Sequence, residues 1–220
     1  MIRKVVADVQ AALEQLADGM TVLIGGFGDV GFPFALVEGL VDRGTRDLTI
    51  VANNCGTGER GLARLFATGR VRRVIASFPS QPGNHHFLRA YETGTTELEL
   101  TAQGTLAERL RAGAAGLGGF YTPTAVGTSL AGQKEVREVD GRQFILELPL
   151  KGDIALVRAQ VADRFGNLRF RRSARNFNPV MAMAGDLTVV QVSEIVPAGS
   201  MDPDDIHTPG VFVDHIVVVR

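Results

Sequence analysis

Cysteine is almost absent from this chain: Cys55 stands alone, so no internal disulfide can form, and a reducing compartment is expected. An excess of either charge is missing too. The 23 Lys and Arg residues are matched by 24 Asp and Glu residues, which argues against a nucleic-acid grip and against a strong grip on a membrane surface. No run approaches the roughly 18 consecutive apolar residues of a membrane span. The start, Met1 to Asp8, reaches an acidic residue before any long apolar stretch, so no secretory signal is expected there. Linkers, charge blocks and internal repeats are also lacking, and residues 1–220 are expected to form one domain. Together these absences point to a cytoplasmic protein large enough to fold without a disulfide or a metal staple.

Glycine, by contrast, is abundant: 26 residues of 220, about 12% against about 7% in average usage. The glycines cluster at the ends of apolar segments, where a backbone turns sharply or approaches a ligand closely. Apolar spacing predicts helices over 6–16, 33–41, 62–66, 86–93 and 106–112, with Pro33 at a first helical position. Strand-type runs fall at 21–24, 47–51, 71–77, 98–101, 154–159, 187–192 and 212–219. Asp140-Gly141 between two β-like segments signals a hairpin. The alternation implies an α/β fold: an open, mostly parallel sheet with helices on both faces, plus an antiparallel flap.

Gly26-Phe27-Gly28-Asp29-Val30-Gly31 matches G-x-G-x-x-G after a strand and before a helix. Bare glycine backbone lets N–H groups approach an anion, and a helix N-terminus adds favourable partial charge. A dinucleotide site also needs an acid about 20 positions on to hold a ribose hydroxyl. Asn53 and Asn54 occupy that place, while Asp47 and Glu59 fit it poorly. Two readings stay open: a tight structural turn, or a loop for another phosphorylated or pantetheine-bearing ligand.

Extended to Asp18-Gly19-Met20-Thr21-Val22-Leu23-Ile24-Gly25-Gly26-Phe27, with Gly31 and Pro33, the motif resembles the signature of the A-type (alpha) subunit of family I CoA-transferases. Four further segments resemble that family in the same order: 103–109, 116–128, 173–179 and 207–210. The resemblance implies transfer of CoA from an acyl-CoA to a free carboxylate, with the CoA thioester as substrate and no resident cofactor or metal. It implies a covalent route in which a glutamate attacks the thioester, forms an anhydride and then carries CoA as a glutamyl thioester. In the family that glutamate belongs to the B-type (beta) subunit, in a Ser-Glu-Asn-Gly type motif. Here the nearest string is Ser193-Glu194-Ile195-Val196, with apolar residues in place of Asn-Gly, so Glu194 reads as a solvated carboxylate.

The resemblance therefore implies a non-nucleophile chain that pairs with a B-type CoA-transferase subunit in an α2β2 heterotetramer and contributes part of a pocket. It assigns Gly25, Gly26, Phe27, Gly28, Asp29, Val30 and Gly31 to CoA. Asn53, Asn54 and Gln103 line the acyl and glutamate end, where neutral amides can donate to a developing oxyanion without neutralising the nucleophile. The alternative for each is a loop cap. Ser77-Phe78-Pro79 resembles the 3-oxoadipate branch, whereas Asn53-Asn54-Cys55-Gly56 and His207-Thr208-Pro209-Gly210 are closer to the succinyl-CoA:3-ketoacid branch. The substrates expected are succinyl-CoA and a 3-oxo acid, 3-oxoadipate ahead of acetoacetate or a short-chain fatty acid. A CoA-binding protein of the same fold without catalysis is the reading from another class.

Other tempting residues read blandly. Adjacent His85 and His86 are expected to point apart, with no carboxylate at ligand spacing, so no metal is expected. Cys55 lacks a local histidine partner and reads as an inert thiol. Arg164, Arg169, Arg171, Arg172 and Arg175 suggest a solvated hairpin around Gly166-Asn167, or contacts to an anion or a partner chain, with the subunit interface preferred for 171–178.

Overall fold

In the computed structural model, which describes residues 4–219, the chain alternates helices and strands as far as α5. The first half runs α1 (Val9–Ala12), β1 (Thr21–Ile24), α2 (Phe34–Arg43), β2 (Leu48–Asn54), α3 (Leu62–Ala67), β3 (Val71–Phe78), α4 (His85–Glu92), β4 (Glu97–Leu100) and α5 (Gln103–Ala114). The flap follows, with β5 (Phe120–Thr122), β6 (Val136–Val139) and β7 (Arg142–Glu147). The chain then returns through β8 (Gly152–Arg158), β9 (Val161–Asp163), β10 (Leu168–Arg169), α6 (Asn178–Ala184), β11 (Gly185–Val192), β12 (Glu194–Val196) and β13 (His215–Val218).

Seven strands form one sheet in the order β13-β11-β8-β1-β2-β3-β4, and every pairing in it is parallel. Such a sheet must be covered on both faces, so its central strands read as continuous apolar runs, while the edge strand β4, Glu97-Leu98-Glu99-Leu100, alternates. Val22, Leu23, Ile50, Val51, Ile154, Leu156, Val189 and Val190 are all buried. Two apolar layers flank the sheet: one is built on α2, α3 and α4, the other on α5 and α6. Strand order runs outward from β1 to β4 on one side and through β8, β11 and β13 on the other. The reversal lies between β1 and β8, and the crevice beyond the carboxyl ends of strands at such a point is where α/β sheets take ligands.

The flap is a three-stranded antiparallel sheet in the order β5-β7-β6. Its hairpin turns at Asp140 and Gly141, both with positive φ (51° and 73°), as a two-residue primed turn requires. A buried charge cluster docks the flap on the main sheet. Glu147 is 3% exposed; Lys134 Nζ lies 2.5 Å from its carboxylate, and Arg109 Nε donates to Leu148 O at 3.0 Å. Arg109 also pairs with Glu99 on β4. Burial pushes Glu99 up, but Arg109 and Arg73 outweigh it and hold the carboxyl below its ordinary range. A second small sheet, β10-β9-β12, contains the hairpin around Gly166-Asn167.

Several expectations need correction. Helix α1 is one turn only, because after Ala12 the chain folds into turns that still bury Leu13 and Leu16. Pro33 is the N-cap of α2, not its first residue. Asn53 and Asn54 end β2 rather than follow it. Phe212 lies in a short 3-10 turn ahead of β13. Strands β9 and β10 are the hairpin expected around Gly166-Asn167, whereas helix α6 and strands β5 and β12 had no counterpart in the periodicity: α6 is a seven-residue, mostly apolar helix buried on several sides, so no polar stripe marks it. No helix of the described residues is long and apolar enough to cross a membrane.

Candidate active site at the carboxyl edge of the sheet

The glycine segment and the three amides expected in the pocket emerge at one edge of the sheet, because parallel strands deliver their carboxyl ends together. Gly25 to Gly31 leave β1, Asn53 and Asn54 end β2, Ser77 lies near the end of β3, and Gln103 opens α5 after β4.

The glycine segment is a tight turn. Phe27 and Val30 exchange backbone hydrogen bonds at 3.0 and 3.1 Å, with Gly28 and Asp29 at the tip. That turn leaves the Phe27 and Val30 side chains exposed. The N–H groups of Gly26, Gly28, Asp29 and Gly31 have no intramolecular acceptor among the described residues. The helix N-terminus beyond is not open to an anion: Gln191 Oε1, reaching over from β11, accepts from Ala35 N at 3.0 Å and Leu36 N at 3.3 Å. The dinucleotide arrangement, with a pyrophosphate on that terminus, is thus closed off by a side chain.

Asn178, fully buried at the start of α6, pins the turn to the sheet. Its Nδ2 donates to Gly31 O at 3.0 Å and Ala174 O at 2.9 Å, and its Oδ1 accepts from Arg158 N at 2.9 Å. Asn176 Nδ2 adds a bond to Val30 O at 2.9 Å. The family-like segment 173–179 therefore holds the glycine turn, while Arg171, Arg172 and Arg175 stand at the surface, exposed or half-exposed. Two glycines are explained by this rivet: a methyl at Gly25 would overlap Asn178 Oδ1, and one at Gly31 would meet Ala174 O at 2.7 Å. Between the turn and the end of β8 lies a cavity of about 210 Å³ lined by Gly31, Arg158, Ala159, Gln160, Arg171 and Ala174. It sits at the strand-order reversal.

The two asparagines part company. Asn54 Oδ1 accepts from Gly56 N at 2.8 Å and caps its own loop. Asn53, 3% exposed, donates from Nδ2 to Ser77 Oγ at 2.9 Å and to Gln103 Oε1 at 3.3 Å. Gln103 is exposed; its oxygen accepts from Asn53, and its NH2 has no intramolecular acceptor among the described residues. The relay Ser77–Asn53–Gln103 thereby fixes a neutral donor at the sheet edge, suited to a carboxylate or a developing oxyanion. Neither Ser77 nor Asn178 nor Gln191 stood out as a site residue in the sequence; each acts from a distant element.

Cys55, next along, is fully buried, and burial pushes its thiol far above the ordinary range. It is a core residue. Cys55→Ala is expected to keep activity, and iodoacetamide to label Cys55 only after denaturant unfolds the chain, as followed by mass spectrometry. Glu194 is exposed at the start of β12. The segment 207–210 packs structurally: Leu168 N donates to Thr208 O at 2.9 Å, and His207 Nδ1 accepts from Phe170 N at 3.0 Å. Burial, then Arg175 and Arg169, lower the His207 pKa despite Asp205. His85 and His86 do not diverge as expected. Their rings lie 4.2 Å apart, and both Nε2 atoms meet the Glu59 carboxylate, at 3.1 and 2.8 Å. The loop after β2 brings Glu59 there, 26 residues away in sequence from His85, so no local spacing could reveal it.

The fold has solved counterparts. An acyl-CoA transferase from E. coli, in its thioester complex with CoA, superposes with a TM-score of 0.86 at 23% identity, over 99% of this chain and 47% of that one. The A-type subunit of 3-oxoadipate CoA-transferase from Pseudomonas putida is 48% identical over 219 residues, 100% of this chain and 95% of that protein. The A-type subunit of a probable succinyl-CoA:3-ketoacid coenzyme A transferase from Bacillus subtilis is 48% identical over 215 residues, 98% and 90% respectively. With the coenzyme A transferase family model matching from residue 6 to residue 219 as well, the chain belongs to that family.

Proposed function

We propose that this chain is the A-type subunit of a heteromeric transferase that moves CoA from succinyl-CoA to a 3-oxo acid, with 3-oxoadipate as the favoured acceptor. The observation that carries the reading is the Ser77–Asn53–Gln103 relay, which holds an amide donor at the sheet edge of a chain that has no Ser-Glu-Asn-Gly type nucleophile string. The partner chain, of the B type, supplies the glutamate. Its carboxylate oxygen attacks the thioester carbonyl and expels CoA as thiolate, leaving a mixed anhydride. The thiolate then attacks the glutamyl carbonyl and releases the donor acid, so that CoA rests on the partner as a thioester. The acceptor acid repeats both steps in reverse. Gln103 stabilises the oxyanion formed at each attack, and covalent steps in a water-poor site conserve the thioester's free energy.

Gly25 to Gly31 contribute the CoA side, with the cavity beside Arg158 and Arg171 suited to an anionic ligand. CoA comes and goes as substrate, and no cofactor stays bound. The assembly is α2β2 and cytoplasmic. Exposed Phe78, next to Ser77 of the relay, and exposed Phe27 and Val30 on the glycine turn are the surface the partner would cover. Relatives named for 3-oxoadipate and for 3-ketoacid are equally identical to this chain, and Ser77-Phe78-Pro79 tips the choice toward 3-oxoadipate.

The test is to co-express the chain with its partner, assay each alone and together with both acceptors, and trap the thioester by borohydride after adding succinyl-CoA. Activity and labelling are expected only in the mixture, with the label on the partner and kcat/KM higher for 3-oxoadipate than for acetoacetate. Turnover by this chain alone would refute the split site, and an inactive complex that still binds CoA would favour a non-catalytic binder.

A further inference from the structure

Glu59, His85 and His86 form the one group of three His, Cys, Asp or Glu side chains, among the described residues, whose donor atoms converge within 4.8 Å of one another. We propose that these three residues bind a divalent transition-metal ion of the zinc class, through the two imidazole Nε2 atoms and the Glu59 carboxylate. The spacing is already close to what a metal needs. With metal–ligand bonds of about 2.0–2.2 Å in a tetrahedron, neighbouring ligand atoms stand about 3.3 Å apart. His85 Nε2 lies 3.1 Å from one Glu59 carboxylate oxygen and His86 Nε2 lies 2.8 Å from the other, and one donor atom from each residue falls within 4.8 Å of the other two. Both hydrogen bonds use the nitrogen that would ligate, so a cation would take the place of protons that the imidazoles now hold against the carboxylate.

The backbone holds the three donors in register. Gly58 N donates to Gly83 O at 2.9 Å, tying the Glu59 loop to the turn that launches α4. Asn84, 1% exposed, anchors that turn through Pro79 O. The two histidines then open α4 side by side. Arg60, the nearest cation in sequence, is turned away: it pairs with Asp29 at 2.8 Å and lies over the Phe34 ring at 4.4 Å.

Two imidazoles and one carboxylate select a borderline-soft ion over Mg²⁺ or Ca²⁺, which take all-oxygen shells. Three protein ligands leave a fourth position for water or another donor. The side chains of Glu59 and His85 are 75% and 60% exposed, so the ion enters from solvent. The bound ion would clamp the 55–61 loop, which starts one residue after Asn54 and reaches the glycine turn through the Arg60–Asp29 pair.

The experiment is a titration of the purified protein with Zn²⁺ in competition with a chromophoric chelator at neutral pH, with Mg²⁺ in parallel. One Zn²⁺ per chain is expected, with the His85→Ala/His86→Ala double variant binding at least about 10-fold more weakly and Glu59→Gln weakened less. Co²⁺ should give the visible spectrum of a four-coordinate site in the wild type and lose it in the double variant. Glu59 and His85 lie at the surface and His86 is half-buried, so matching circular dichroism and unfolding midpoints check that the variants fold. Equal Zn²⁺ affinity in wild type and double variant would overturn the proposal, because the ion would then sit elsewhere, as at His207 or His215. So would Mg²⁺ binding as tightly as Zn²⁺, or no saturable Zn²⁺ binding by the wild type.

Discussion

Gln103→Glu is expected to lower kcat by about 10²–10³-fold while the protein stays folded. The replacement is nearly isosteric and lies on an exposed first turn of α5, so packing is unchanged. One oxygen can still accept from Asn53 Nδ2, which donates at 3.3 Å in the native protein. What disappears is the N–H pair, and a negative charge takes its place. A donor aimed at developing negative charge becomes a repeller of it, and of the carboxylate that must approach as nucleophile or acceptor. Gln103→Ala removes the donor without adding charge and is expected to cost less. Asn53→Ala removes the group that orients Gln103 while leaving the donor present, so its loss should fall below that of Gln103→Ala. Steady-state assays of the assembled enzyme, resolving kcat from KM for both substrates, check the series. Activity of Gln103→Glu within twofold of wild type, with normal unfolding, would place the oxyanion donor elsewhere.

The sheet was legible because a parallel sheet buried on both faces writes itself as unbroken apolar runs, and glycine and proline mark where those runs end. β1, β3, β8 and β11 stand within two or three residues of expectation for that reason. The hairpin at Asp140-Gly141 was legible because only a few residue types tolerate positive φ at both central positions. Helix α6 was illegible because burial on several sides erases amphipathic contrast.

In the site, the divide runs between residues and relationships. Asn53, Asn54 and Gln103 were visible as polar groups at strand ends, but not which amide would cap a loop and which would orient another. That depends on Ser77 arriving beside Asn53 from the neighbouring strand. The glycine turn was visible, and the reason for its glycines was not, since Asn178 lies 147 residues from Gly31. The paired histidines were misjudged by the same blindness, because Glu59 reaches them through a loop rather than through sequence spacing.

The tie between Asn178 and the glycine turn leads to the second large effect, a loss of about 3–5 kcal/mol for Asn178→Ala. The side chain is fully buried and serves three backbone groups, Gly31 O, Ala174 O and Arg158 N. Each loses its partner in the interior at about 1–3 kcal/mol, with some recovery where water enters from the neighbouring cavity. In a domain of this size the midpoint of thermal unfolding should drop by about 10 °C. Gly25→Ala attacks the same contact from the other side, since its methyl would overlap Asn178 Oδ1. Gly25 has no positive φ, so the cost of that variant is steric overlap rather than backbone strain. The double variant Gly25→Ala/Asn178→Ala removes the oxygen that the methyl would strike. It should therefore be less destabilised than the sum of the singles, by about 1–2 kcal/mol. Denaturant unfolding of the four proteins closes the cycle. Simple additivity would mean that Gly25 is glycine for some reason other than the close approach of Asn178, and that the turn is held by its own Phe27–Val30 bonds.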